Sequence, residues 1–212
     1  MIVSLNEVEG LVLKACRGAG TSWGIAEDAA QAARWLATRN IDWDRSLLEV
    51  LRQQPTLSRP TLVGSALEPV RPGLLCPLHV GAAVSDLAGL HPQFAIGPTL
   101  EPIWLLPFAY RHARTGRQVV VSWTDGAARL APDSDACDSL IAVRHLIPQP
   151  MTVTVVEEAA ARATARLAPS ATGVTVDPEV WRALDSLAAK TYVPASLQSR
   201  LAGAGAGLSD ND

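Results

Sequence analysis

The residues best suited to chemistry sit in one short run, Cys76-Pro77-Leu78-His79. A thiol and an imidazole separated by two residues is a spacing that zinc sites use, but zinc needs three or four ligands and no second pair of this kind occurs. The sequence therefore favours a buried cysteine beside a strand histidine, and we expect no metal and no cofactor. His112 and His145 fall in expected strands next to arginines, where histidine is more often a hydrogen-bonded sheet residue than a base. Asp125, Asp133, Asp135 and Asp138 could do acid–base or cation work from converging loops. Their spacing fits no calcium loop, so a solvated turn cluster is the better reading. The chain has no Gly-x-Ser-x-Gly elbow, no Walker-type loop and no His-Glu-x-x-His pair.

Two glycine-rich runs offer other chemistry. Arg17-Gly18-Ala19-Gly20-Thr21-Ser22-Trp23-Gly24 leads into a helix start. There the unpaired amides and the helix dipole favour an anion, with Arg17 adding charge. Arg17, Gly18, Gly20, Ser22 and Trp23 are thus candidate ligand-binding residues, although two tightly joined helices need the same glycines for geometry alone. Arg200, Gly203, Gly205, Gly207, Asp210 and Asp212 mark a terminal run in which glycine alternates with alanine. Such a run is either a flexible end or a strip of backbone docked in a groove of this chain, a second subunit or a ligand.

Composition narrows the classes. With 48% hydrophobic and 18% charged residues the chain reads as globular. A net charge of −3 argues against a nucleic-acid partner. Its longest nearly charge-free apolar stretch, residues 74–84, is far short of the roughly 20 residues of a membrane span. The three cysteines, Cys16, Cys76 and Cys137, show no paired spacing, and no basic leader precedes Glu7 and Glu9. A cytoplasmic protein with free thiols, in contact with neither nucleic acid nor membrane, is expected.

The elements that must position these residues follow from caps and periodicity. Ser4-Leu5-Asn6-Glu7 is a capping box, followed by Leu5, Val8, Leu11, Val12 and Ala15 on one helical face. Gly18 and Gly20 should stop that helix. Ser22 can cap a second, alanine-faced helix to about Arg39, and a third runs from Asp42 or Asp44 to before Pro55. Between Pro55 and Pro107 nine prolines argue against long helices and leave short extended runs at residues 78–84 and 103–106. Residues 108–130 carry the clearest strand signal, with Asp125-Gly126 as a hairpin turn. Further strands are expected at residues 139–147, 151–156 and 174–176, with residues 157–166 either helical or extended. Asp177-Pro178 then starts a last helix. The sum is a single α+β domain over residues 1–212: an N-terminal helical segment packed on a mainly antiparallel β-sheet, with a C-terminal helix. Residues 1–54 form the helical lobe, 55–176 a proline-rich and mainly β region, 177–202 the C-terminal helices and 203–212 the tail.

Ser4-Leu5-Asn6-Glu7, Arg17-Gly18-Ala19-Gly20 with Trp23-Gly24, and Arg34-Trp35-Leu36 resemble a bacterial family known only as domain of unknown function 3726. Thr191-Tyr192-Val193-Pro194-Ala195-Ser196 and the Gly-Ala run ending Asp210-Asn211-Asp212 resemble that family's C-terminus. The resemblance implies a bacterial, cytosolic protein and supplies no reaction or catalytic residue. Two functional readings remain. The first is a non-catalytic accessory or oligomer-forming subunit, with a second copy or another protein as partner. The second is a small-molecule enzyme or binder with its pocket between the helices and the sheet. Arg17 and the Ser22 helix start would hold a small anionic ligand, and residues 125–138 or His79 would supply acid–base groups.

Overall fold

A computed structural model describes residues 1–113, 117–131, 136–137, 147–156, 165–166 and 173–192. After a short strand, β1 (Ile2–Val3), the Ser4 capping box forms as expected. The Glu7 amide donates to Ser4 Oγ at 3.2 Å, and the Ser4 amide to Glu7 Oε2 at 2.7 Å. It starts α1 (Leu5–Gly18), which buries Val8, Leu11, Val12, Ala15 and Cys16. Gly20 takes the left-handed conformation, φ +92°, and turns the chain into α2 (Trp23–Thr38). α2 buries alanines 26, 29, 30, 33 and 37 and packs on α1, and such small side chains let two helices approach closely. Asn40, also left-handed, leads into α3 (Asp44–Gln53), anchored by Leu47, Leu48, Val50 and Leu51.

Next come a hairpin of β2 (Pro60–Val63) and β3 (Ala66–Pro69), then α4 (Pro77–Leu87), β4 (Gln93–Ile96), a 3-10 turn at Pro102–Trp104 and α5 (Leu105–Ala113). Strands β5 (Gln118–Trp123), β6 (Gly126–Leu130), β7 (Ala136–Cys137), β8 (Met151–Val156), β9 (Ala165–Arg166) and β10 (Val174–Thr175) follow, and α6 (Pro178–Ala188) is the last described α-helix, continued by a 3-10 turn at Ala189–Thr191. Among the described residues the main sheet runs β2-β3-β4-β8-β5-β6-β7-β9, antiparallel except where β3 meets β4. β1 and β10 form a separate ribbon. Helices α4 and α5 pair with each other and join the helical segment to β5 and β6, and α6 lies on α1 and α3. Trp43, Trp104, Phe94 and Phe108 are the largest fully buried side chains.

The α+β arrangement holds, with an N-terminal helical segment, a mainly antiparallel sheet and a C-terminal helix. Several local expectations do not. Residues 78–84 are helical, in α4, and residues 103–106 lie in the 3-10 turn and the start of α5. Residues 108–113 complete α5, so the strand signal begins only at Gln118. The prolines explain the error. Pro77, Pro107 and Pro178 occupy first turns, where the missing N–H costs nothing, so they open helices instead of breaking them. His79 and His112 consequently ride on helices, not strands. The hairpin turn is Thr124-Asp125, and Gly126 already belongs to β6. Gly18 stays helical. It is needed because a side chain there would run into the Leu187 carbonyl of α6. Of the strand expected at 139–147, residues 139–146, with His145, lie outside the described residues.

Candidate functional site

The most chemically equipped cleft is built around a buried serine. Ser58 accepts the Cys76 amide on its carbonyl at 2.9 Å and the Arg71 amide on its hydroxyl at 3.0 Å, while its own amide donates to Leu74 at 2.9 Å. The β2–β3 register sets Pro60 opposite Pro69, and the Val70 amide reaches Arg59 O at 3.0 Å. Arg59 and Arg71, twelve positions apart in sequence, are thereby brought to the same open end of the hairpin. Arg71 Nη2 donates to the Leu57 carbonyl at 3.4 Å, which turns its guanidinium back toward the end of α3. The first turn of α4 closes the opposite wall with Cys76 and His79.

The resulting cleft, about 370 Å³, is lined by Gln54, Arg59, Val70, Arg71, Cys76 and His79 among others. None of its described lining residues is acidic, and among the described residues neither arginine forms a salt bridge. His79 Nδ1 stands 3.3 Å from Cys76 Sγ. Burial pushes the Cys76 thiol up, against the pull of the His79 and Leu78 amides and of Arg59. Desolvation, then the charge of Arg59, lowers His79. The pair is therefore a neutral thiol beside a neutral imidazole at neutral pH. On the helical side Thr21 Oγ1 donates to Gln54 Oε1 at 3.2 Å, so the turn between α1 and α2 fixes a wall of the cleft.

Of the candidate residues of the sequence, Cys76 and His79 line this cleft, whereas Arg17, Gly18, Gly20, Ser22 and Trp23 are not among its lining residues. Arg17 Nη1 donates to the Thr21 carbonyl at 2.6 Å, and its guanidinium lies 5.5 Å from the Trp23 ring. Ser22 occupies the N-cap position of α2, but its side chain makes no capping hydrogen bond. Gly18 lies against α6, Gly20 makes the turn, and Trp23 is exposed. The Cys76–His79 pair does come together, as a helix cap and its third residue. Among the described residues no group of three His, Cys, Asp or Glu side chains could hold a metal ion. His112 Nε2 contacts the Ser85 carbonyl. Asp125 sits in an exposed turn, whereas Asp133, Asp135, Asp138, Arg200, Gly203, Gly205, Gly207, Asp210 and Asp212 lie outside the described residues.

Gln54, Arg59 and Arg71 were not picked out from the sequence. The available signal was Gly64-Ser65 between two short extended runs, a hairpin turn pair that brings the flanking Arg59-Pro60 and Arg71-Pro72 together. A second cleft, about 500 Å³, opens beside Asn40, Asp42, Asp44, Val174 and Thr175. Partial desolvation, followed by the hydrogen bond and charge of Asp44, pushes the Asp42 carboxyl up to about 6.

Among the described residues no helix is long and apolar enough to cross a membrane. No curated protein matches the chain. A family model matches residues 3–75, which takes in α1, α2, α3, the β2–β3 hairpin and both arginines of the cleft, and stops short of Cys76. Over that segment the chain is similar to the family described as "Protein of unknown function (DUF3726)".

Proposed function

We propose that the chain is a cytoplasmic small-molecule binder that holds an anionic ligand at the junction of the helical segment and the β2–β3 hairpin. One observation carries this: two guanidiniums without carboxylate partners among the described residues converge on a cleft that has no described acidic wall. Guanidinium–anion hydrogen bonds are charge-assisted and so among the stronger polar contacts available. Buried, unpaired Cys16 and Cys76 suit a reducing compartment. This reading puts the anion at Arg59 and Arg71 and not at Arg17 and Ser22, because Arg17 is engaged with Thr21 and Trp23. Thermal melts at low salt with inorganic phosphate and with pyruvate test the reading. The melting temperature should climb with anion concentration, as ligand binding to the folded state requires. Arg59→Gln/Arg71→Gln should remove the rise, and a parent protein indifferent to millimolar anion would retire the proposal.

The accessory or oligomer-forming reading has a separate support. β2 is an edge strand, and Leu62 and Val63 on it are exposed, with Val70 exposed nearby. Natural proteins seldom leave an apolar edge strand bare. A second copy pairing along β2 would cover it. Sedimentation of the parent and of Leu62→Lys decides the matter: a dimer that the substitution dissociates supports this reading, and a monomeric parent rejects it.

A further inference from the structure

Building on the anion-binding reading of the same cleft, we infer that Cys76 is a nucleophile, His79 its base, and the ligand an acyl compound carrying a negative charge: an ester, thioester or amide of a small acid. The geometry has three parts. Cys76 Sγ and His79 Nδ1 are within hydrogen-bonding reach at 3.3 Å, the relation a thiol and its base need. Both line a cavity of about 370 Å³ with room for a small molecule, which an ordinary buried cysteine does not face. Arg59 and Arg71 share that cavity and would hold the charged end of the ligand, fixing its reactive carbon near the sulfur. Gln54 adds an uncharged donor. Its Oε1 is taken by Thr21, and Nε2 makes no hydrogen bond among the described residues.

The step follows from these positions. The sulfur attacks the carbonyl carbon and the S–C bond forms as the C=O π pair moves onto oxygen, where the Gln54 amide can meet it. The thiol proton passes to His79 Nδ1. The tetrahedral intermediate collapses, the bond to the leaving oxygen, sulfur or nitrogen breaks, and His79 returns the proton to that atom. Water then attacks the acyl thioester with His79 taking its proton, and collapse releases the free acid and restores the thiol. No oxidant, reductant or metal enters the balance.

Two esters test this on the intact chain: mono-4-nitrophenyl succinate, which is anionic, and 4-nitrophenyl acetate, which is not. Each rate is taken relative to that ester's spontaneous hydrolysis. We expect nitrophenolate release from the anionic ester to be enhanced about tenfold more, the worth of one charge-assisted hydrogen bond. Mass spectrometry should place the acyl group on Cys76 and leave the fully buried Cys16, whose thiol is pushed up to about 12, unmodified. His79→Gln should slow acylation by about 100-fold, a general base's usual contribution. Absence of an acyl adduct on Cys76, or equal enhancement of the two esters, overturns the inference, and neither result depends on any variant folding. A Cys76→Ser protein still stabilised by phosphate would in that case leave the anion-binding reading standing, whereas failure of both measurements would remove the two together.

Discussion

At the start of α3 the charges are carboxylates, and the protein supplies their partners. Asp44 Oδ1 accepts the Arg45 amide at 2.8 Å and Oδ2 the Asp177 amide at 3.3 Å. Arg45 pairs with Asp177 at 2.7 Å, and Asp177 caps α6 by accepting the Glu179 amide at 2.9 Å. At the far end of α3 the charges are guanidiniums, and the protein supplies backbone carbonyls only in part. Arg71 meets the Leu57 carbonyl, and Arg59 makes no ion pair among the described residues. The contrast separates two uses of charge. The acidic end is closed on itself and fastens α6 to α3; the basic end stays open and waits for a counter-charge from outside the chain. Burial of unpaired charge is costly, and both arginines keep solvent access until something fills the cleft.

That contrast can be broken most forcefully at Gly18. A methyl group there would meet the backbone of Leu187, so Gly18→Ala should cost about 3 kcal/mol and loosen α6 from the acidic end. Chemical denaturation reads the loss, and at temperatures where the variant remains folded its response to phosphate should be that of the parent. A pair of serines sharpens the comparison next. Ser46→Ala strips the buried Trp104 indole of its 3.0 Å acceptor and should cost about 2 kcal/mol without touching anion binding. Ser58→Ala, at the basic end, should cost less, about 1 kcal/mol, yet weaken the phosphate response because Arg71 loses its tether. Equal effects of the two serines on phosphate binding would erase the division between the ends. The smallest expected effect is at Asp42. Its folded-state pKa is raised to about 6, so the charged carboxylate opposes folding above that pH, and the opposition fades as pH falls through 6 toward the unfolded value. Asp42→Asn should therefore be slightly the more stable protein at pH 7, by under about 1 kcal/mol for so exposed a group, and lose the advantage by pH 4. Melts across that range check the sign.

The helical segment was legible because its determinants are local. Ser4 and Glu7 are one turn apart, the alanine face of α2 repeats at helical spacing, and Asp177-Pro178 announces α6 in two residues. The open cleft was not legible for the opposite reason. Arg59 and Arg71 meet only through the β2–β3 hairpin, and Cys76 joins them through a hydrogen bond to Ser58. Prolines read as interruptions hid α4 and α5, although Pro77 and Pro107 lie where a helix tolerates proline best. Cys76 and His79 stand out in the sequence by a metal-type spacing. Their shared cavity depends on the neighbours that spacing could not reveal.

The contact of Gly18 with Leu187 also joins the first helix to the last described one, and this sets an order of events during synthesis. A chain growing at about 5–20 residues per second completes α1 on the order of 10 s before α6 emerges. Through that interval α2 can cover one side of α1 with its alanines, but the face awaiting α6 has no native cover. The nascent chain thus carries an uncovered apolar helix face until α6 emerges, a natural handle for a chaperone.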